Sequence, residues 1–289
     1  MKHTVFAALV LFASQIIAQP VRLHIGGGFA NYNGDLQAKA LTLNQARGVV
    51  SAGGTFNITP KIAIRSDYSF AHLGADDKRN PRLADRNLNF KTIIQELSLV
   101  GEYDLFDLSD KVWTPYAFAG VGVFRFSPYT VDRANQKVFL HGLGTEGQGL
   151  AQYPERTIYK KTQLNIPIGG GIKYAVSDDI YVAAEFGFRK LFTDHLDDVS
   201  GPFADENALL AGRGPLAVDL AFRGDEVKSN SNTTPQTYPA AGSQRGNPKY
   251  KDAYYFGQIR LSFRMPWFDN GGSYGREGKR SKYGCPRIM

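Results

Sequence analysis

The sequence predicts an all-β chain that closes as an eight-stranded antiparallel transmembrane β-barrel, and three observations predict it. Segments in which apolar and polar residues alternate recur along the chain, the signature of strands with one greasy and one charged face. These segments run to about 11 to 15 residues, longer than the roughly 5–6 of soluble sheets and long enough for the ~9–11 of a tilted membrane strand. The connections between them alternate long and short, as in barrels with short turns at one end and long loops at the other.

Composition narrows the classes before any element is placed. Among 289 residues there are 31 Gly, 19 Phe and 15 Tyr against one Cys and three Met, with a mean hydropathy of -0.29. So many aromatic strand formers exclude an intrinsically disordered chain. A single thiol excludes a disulfide scaffold and a cysteine-based zinc module. The net charge of +7 is compatible with several partners, so its location along the chain decides its meaning, and no nucleic-acid partner is expected.

The N-terminus reads as a secretory signal peptide. Lys2 and His3 precede an apolar run at 5–13, and Ala18 stands before Gln19 and Pro20, giving a signal over 1–18. No later stretch reaches the roughly 20 apolar residues of a spanning helix. Strands are predicted at 21–32, 47–58, 61–72, 90–104, 112–126, 162–176, 180–191 and 253–264. The last is the clearest, setting Tyr255, Gly257, Ile259, Leu261 and Phe263 against Gln258, Arg260, Ser262 and Arg264. Segments 162–176 and 180–191 form a hairpin across Ser177, Asp178 and Asp179. Segment 112–126 is ambiguous in facing, because Tyr116, Phe118, Phe124 and Phe126 oppose an equally apolar row of Ala117, Ala119, Val121 and Val123.

Alternation alone does not say which face meets lipid, and a lipocalin-like cup would use the opposite one. The signal peptide, strand length and loop alternation select the membrane reading, with both termini on the periplasmic, short-turn side. The polar faces then line a lumen barely wide enough for side chains. Arg22, Arg65, Asp67, Glu96, Glu102, Lys173, Glu185, Arg189, Arg260 and Arg264 are its expected lining. Their mixed signs predict a salt-bridged plug rather than an open pore. Aromatics near strand ends are candidate girdles: Phe56, Tyr103, Trp113, Tyr174, Tyr181 and Trp267 at one edge, Tyr32, Phe70, Phe90, Phe126, Phe192 and Tyr254 at the other.

Motifs that carry chemistry are scarce, and no enzyme, cofactor or metal centre is expected. The triple glycines at 26–28 and 169–171 lie within strands and lack dinucleotide-binding spacing, so they read as sites of bending or close packing. The five His are scattered. His72 with Ser69 is the pair to weigh for a lipid-modifying barrel enzyme, and strand parity puts the two on opposite sides. Asp194, Asp197 and Asp198 lack the spacing of a calcium loop and read as an acidic solvated turn. Ser200, Pro202, Asp205 and Glu206 before Ala208 predict a short helix start, and 229–249 reads as an exposed polar stretch.

The tail, 265–289, has no strand pattern, and its single Cys285 sits among basic residues. Arg276, Lys279, Arg280, Lys282 and Arg287 stand against Glu277 alone, a composition suited to docking on an acidic partner. An odd Cys in an exported chain suggests an intermolecular disulfide. Tyr32-Asn33-Gly34-Asp35-Leu36 after the first strand, TPYAFAGVGVFRF at 114–126, LFTDHLDDVSG at 191–201 and the terminal Cys285-Pro286-Arg287 together carry a resemblance. The chain resembles the PorG family, small outer-membrane barrels of the type IX protein secretion system of Bacteroidetes, over essentially the whole mature length. That resemblance implies a non-enzymatic accessory component tying a periplasmic ring, made of a lipoprotein (PorK) and its partner (PorN), to the outer membrane. The His and Leu of TDHLDD, the long loop after them and the end of the tail depart from the family pattern. The organisation expected is therefore a signal peptide at 1–18, a barrel at 19–264 and a basic periplasmic tail at 265–289, in contact with outer-membrane lipid and with ring proteins through Cys285. The rival readings are a porin or adhesin, working through loops 127–160 and 193–251, and the lipid-modifying enzyme.

Overall fold

A computed structural model describes residues 21–37, 41–80, 83–227 and 237–265. The signal-peptide assignment and the tail residues Arg276, Lys279, Arg280, Lys282, Cys285 and Arg287 lie outside the described residues.

Eight long strands form a closed antiparallel barrel. They are β1 (Val21–Asn33), β2 (Arg47–Asn57), β3 (Ile62–Asp76), β4 (Asn89–Asp104), β5 (Trp113–Arg125), β8 (Thr162–Ala175), β9 (Ile180–Leu191) and β10 (Ala253–Arg264), with a small hairpin of β6 (Tyr129–Val131) and β7 (Lys137–Phe139) between β5 and β8. Neighbours follow the order β3-β2-β1-β10-β9-β8-β5-β4, and the β3–β4 pairing closes the ring. Closure matters physically, because an open edge in a bilayer would leave backbone donors and acceptors unpaired. The boundaries lie close to those the alternation predicts; β3 runs on to Asp76.

The alternation appears as a strict in-and-out pattern. β4 buries every even residue from Phe90 to Asp104, while Leu97, Leu99 and Tyr103 stand 58%, 52% and 51% exposed on the outer wall. Leu23, Ile25, Val121, Leu164, Ile168, Ile172 and Ile259 are likewise exposed. An apolar outside with a polar inside inverts the usual soluble arrangement and suits a lipid solvent. Parity also settles β5: Tyr116, Phe118 and Phe124 point inward, and Ala117, Ala119, Val121 and Val123 face out.

One end of the barrel carries the short turns 58–61, 105–112 and 176–179 together with both described chain ends, Val21 and Met265. The other end carries the long connections, and these fold into an ordered cap. Two helices, α1 (Glu206–Arg213) and α2 (Pro215–Ala221), form there, α1 capped by the Asp205 carboxylate accepting from Ala208 N. The helix start at Asp205 was legible; α2 and the β6–β7 hairpin were not.

Two expectations are corrected here. Tyr32, Phe90, Phe126 and Tyr254 are not a lipid-facing girdle; each is 0–1% exposed, and they pack inside the barrel mouth with Phe124, Leu191, Leu196 and Leu220 as the core beneath the cap. They share strand parity with the lumen charges, and that decides their facing. Tyr181 also points inward, under the Arg22 guanidinium at 3.7 Å. Tyr103, Trp113, Tyr174 and Phe192 do stand exposed on the outside, and Trp267 lies outside the described residues. The second correction concerns Asp194, Asp197 and Asp198, which are not a solvated turn but are 2%, 1% and 0% exposed within the cap.

Candidate functional site

The lumen is a neutralised plug. Of the ten residues expected to line it, nine are buried: Arg22, Arg65, Asp67, Glu96, Glu102, Lys173, Glu185, Arg189 and Arg260. Arg264, at the barrel's end, is half-buried. The centre is built on Glu102 and Glu185. Glu102 lies 2.8 Å from Arg65 Nε, 2.8 Å from Lys173 Nζ and 3.1 Å from Arg260 Nη2. Glu185 Oε2 accepts from Arg65 Nη1 at 2.9 Å and from the Tyr116 hydroxyl at 2.7 Å. Lys173 Nζ also donates to Asp104 at 2.9 Å, and Arg65 Nε lies 3.3 Å from Asp67.

A second group sits nearer the cap. Glu96 Oε2 accepts from Asn165 Nδ2 at 2.7 Å and from the Tyr254 hydroxyl at 2.5 Å, while Arg189 Nε donates to Glu96 Oε1 at 3.5 Å. At the short-turn end Arg22 donates to the carbonyls of Asp178 and Asp179, at 3.0 and 3.3 Å. The lumen thus buries five cations, Arg22, Arg65, Lys173, Arg189 and Arg260, and five carboxylates, Asp67, Glu96, Glu102, Asp104 and Glu185, with Arg22 held by carbonyls rather than by a carboxylate. Balance of this kind is what lets charges persist away from water.

Sequence reasoning missed His24, Asp104, Tyr116, Asn165 and Tyr254 as members of this network. For His24, Asp104, Asn165 and Tyr254 the available signal was again parity, since each is an even number of residues from a recognised lumen charge on its strand; β5 carries no such charge, so Tyr116 had no such signal. His24 Nε2 lies 2.6 Å from Asp67 Oδ1, and Thr55 Oγ1 is 3.4 Å from His24 Nδ1. The arrangement has the outline of an acid–base–nucleophile set, with His24 and Thr55 buried in the plug at 2% and 7% exposure. The His72 and Ser69 pair is not brought together: Ser69 is buried inside, whereas His72 is exposed outside against Phe70.

The glycine runs pack the wall closely. A Cβ on Gly28 would stand 2.0 Å from the Gly257 carbonyl oxygen, and one on Gly169 would stand 2.3 Å from that of Phe186. Only hydrogen fits at such contacts.

The cap is stitched by arginines. Arg86 grips Asp77 through Nε at 2.7 Å and Nη2 at 2.8 Å, and reaches the carbonyls of Asp35 and Arg245. Arg245, 3% exposed although it falls in the stretch expected to be solvent-exposed, donates to Glu146 at 2.7 Å and to the carbonyls of Asp198 and Ala221. Glu146 in turn accepts from the Ser200 and Gly201 amides at 2.8 and 3.0 Å. Between these arginines and Phe203, Phe222 and Pro239 lies an open cleft of about 430 Å³, with Asp35 and Asp85 on its wall.

Beneath the cap four carboxyls crowd together. The Tyr32 hydroxyl lies 2.5 Å from Asp197 Oδ2 and 3.0 Å from Asp252 Oδ1. It has one proton to give, so both contacts become hydrogen bonds only when one of the acids holds its own proton. Burial accordingly raises the pKa of Asp197, with Asp35 adding to it, and burial with the charges of Asp197 and Asp194 raises that of Asp252. Burial pushes Asp194 up to about 7, although the Ser200 hydroxyl and Lys251 pull the other way. Among the described residues, no group of three or more His, Cys, Asp or Glu side chains is arranged to hold a metal ion.

An apolar outer wall, a charged and filled lumen, and an even ring of antiparallel strands define a small outer-membrane barrel. The chain belongs to the outer membrane protein beta-barrel domain family, which matches residues 4–212, and the family places it in the outer membrane. Among solved structures it is similar to Neisserial surface protein A (TM-score 0.42, 8% identity, covering 85% of this chain and 97% of that one). It is also similar to OprG from Pseudomonas aeruginosa (0.42, 8%, 86% and 98%). A third is Ail of Yersinia pestis in complex with the heparin analogue sucrose octasulfate (0.41, 6%, 86% and 99%). No curated protein matches the chain by sequence.

Proposed function

We propose that this protein is a non-enzymatic accessory component of a type IX protein secretion system, a PorG-like barrel that anchors a periplasmic PorK/PorN-like ring to the outer membrane. One observation carries the reading: the barrel is filled by its own ion pairs and roofed by its own loops, so what it offers is a fixed place in the membrane. The short-turn end faces the periplasm in this reading. Because β10 ends there at Arg264, the basic tail with Arg276, Lys279, Arg280, Lys282, Cys285 and Arg287 is delivered to that side. Its positive charge suits an acidic partner surface, and Cys285 suits an intermolecular disulfide in an oxidising compartment. The test is non-reducing electrophoresis of outer membranes from wild type and Cys285→Ser, with mass identification of any shifted band. A reducible adduct with a periplasmic lipoprotein, absent in the variant, supports the anchor. A freely alkylatable Cys285, together with secretion unaffected by deleting 266–289, overturns it.

The cleft at Arg86, Phe203, Phe222 and Arg245 supports a second reading, an adhesin-like barrel that binds an external ligand through its cap. Binding of a cell-surface glycan or protein, lost on Phe203→Ala with the barrel intact, would favour it over the anchor.

A further inference from the structure

Around half of the barrel, the outer wall changes character at the long-loop end. Lys91 is the third residue of β4, Arg125 the last of β5, and Lys190 the second-last of β9; Lys160 stands two residues before β8. These four strands are consecutive in the ring. Lys91, Arg125 and Lys190 share the parity of the lipid-facing residues, and all four cations are exposed.

Below them the wall turns apolar, at once on β5 and β9, after the exposed Thr162 on β8, and after Ile93 and the exposed Gln95 on β4. Val123 and Val121 continue down from Arg125, Leu164 from Lys160, Phe188 and Phe186 from Lys190, and Leu97 from Lys91, all between 37% and 62% exposed. The cations therefore sit where hydrocarbon gives way to headgroups. Among the described residues none of the four is paired with a carboxylate, in contrast to every lysine and arginine at the centre of the lumen. Across the ring the equivalent surface is occupied differently: Asn31 and Tyr255 point outward but are covered by the segment around Thr42, which bonds to both.

Ordinary snorkelling would place lysines at such a height without selecting any lipid. The observed set differs in being one exposed cation on each of four adjacent strands, none of them paired with a carboxylate among the described residues. We propose that this half-belt binds the anionic, phosphate-bearing headgroups of the leaflet at the long-loop end, several cations sharing one lipid. An arginine supplies a planar fork for phosphate oxygens and the lysines supply point charges, so phosphate is favoured over a simple carboxylate. The binding orients the barrel by a ring of bound lipid and does not depend on the secretion role.

The test uses the full-length protein in mixed micelles of phosphatidylglycerol, phosphatidylcholine and oleate, with retained lipid read by native mass spectrometry. The wild type retains phosphatidylglycerol over both competitors, by about fivefold for each cation engaged. The variant Lys91→Gln/Arg125→Gln/Lys160→Gln/Lys190→Gln loses that preference, while a control variant, Lys61→Gln/Lys111→Gln at the short-turn end, keeps it. Heat-modified gel migration reports folding; if the fourfold variant does not fold, the four single variants are read, each expected to lose part of the preference. Equal retention by wild type and the belt variants, equal loss in the control, or retention of oleate as strong as phosphatidylglycerol overturns the proposal. None of these outcomes bears on the Cys285 adduct, so the two readings fail separately.

Discussion

The Tyr254 hydroxyl donates to Glu96 at 2.5 Å across the full width of the barrel, for β10 and β4 stand four strands apart in a ring of eight. Arg260 and Glu102 repeat the same span at 3.1 Å lower down. With two bonds across a diameter and the ion pairs of Glu102 and Glu185 between them, the purified protein in planar bilayers is expected to show no steady ohmic conductance. A stable single-channel step from the wild type would contradict the plug.

Lys173 holds two carboxylates at once, Glu102 and Asp104. Lys173→Ala leaves both without their ammonium partner in a closed lumen, at a cost of about 3–5 kcal/mol. The urea midpoint of the barrel in vesicles, followed by gel migration, should fall markedly, with Lys173→Arg recovering much of the loss. An unchanged midpoint in Lys173→Ala would mean that water already reaches the pair.

The cap has a pH dependence with a definite sign. Asp194 has its folded pKa raised from 3.8 to about 7, so it binds its proton more tightly folded than unfolded. Its stabilising contribution is fully present below about pH 4 and is lost as pH rises through about 7. The groups acting on it are Asp35, Glu146, Lys251 and the Ser200 hydroxyl. Protection of the amides of residues 192–204, taken relative to their intrinsic base-catalysed exchange rate, should be greater at pH 5 than at pH 8. Asp194→Asn, which cannot ionise, should flatten that difference, and a steeper one in the variant would refute the assignment.

Gly28 illustrates what the wall requires. Its missing Cβ would lie 2.0 Å from a backbone oxygen of β10, an overlap that no rotamer change relieves. Gly28→Ala should cost about 1–3 kcal/mol or more and reduce the folded fraction in refolding assays. Gly48, where a Cβ meets nothing within 4 Å, is the matched control, and Gly48→Ala should fold normally.

Tyr255 fixes the segment around Thr42 to the outer wall, its hydroxyl donating to the Thr42 carbonyl at 2.7 Å and accepting from the Thr42 amide at 2.9 Å. Tyr255→Phe removes both bonds, each worth about 1 kcal/mol net. Limited proteolysis of whole cells or proteoliposomes should then cut faster within 41–46, with the barrel itself still resistant. Equal cleavage rates would show that the hydroxyl does not hold the segment.

Particular residues show how far the sequence reached. The alternation in 253–264 and 162–176 located strands and lumen charges together, because in a bilayer every residue of a spanning strand must choose between lipid and interior and the period of two exposes the choice. It faltered at Tyr32, Phe90, Phe126 and Tyr254, since aromatic rings suit an interface and a core equally well and only their parity with Arg22, Glu96, Phe124 and Arg260 distinguishes the two. In the loops no periodicity operates. Arg245 and Asp197 look like solvated polar residues in one dimension and prove to be buried anchors, because their partners lie far away in the chain: Glu146 for the first and Tyr32 for the second.

The sequence by itself determined the number of strands, their approximate ends, the alternation of loop lengths and most of the charged lumen, all of them consequences of local periodicity against a lipid solvent. Only the tertiary structure decided which charge meets which, that the long loops roof the barrel, and that four adjacent strands each bring an exposed cation to the outer rim. Each of those depends on ring closure and register, which bring together side chains that no local pattern connects.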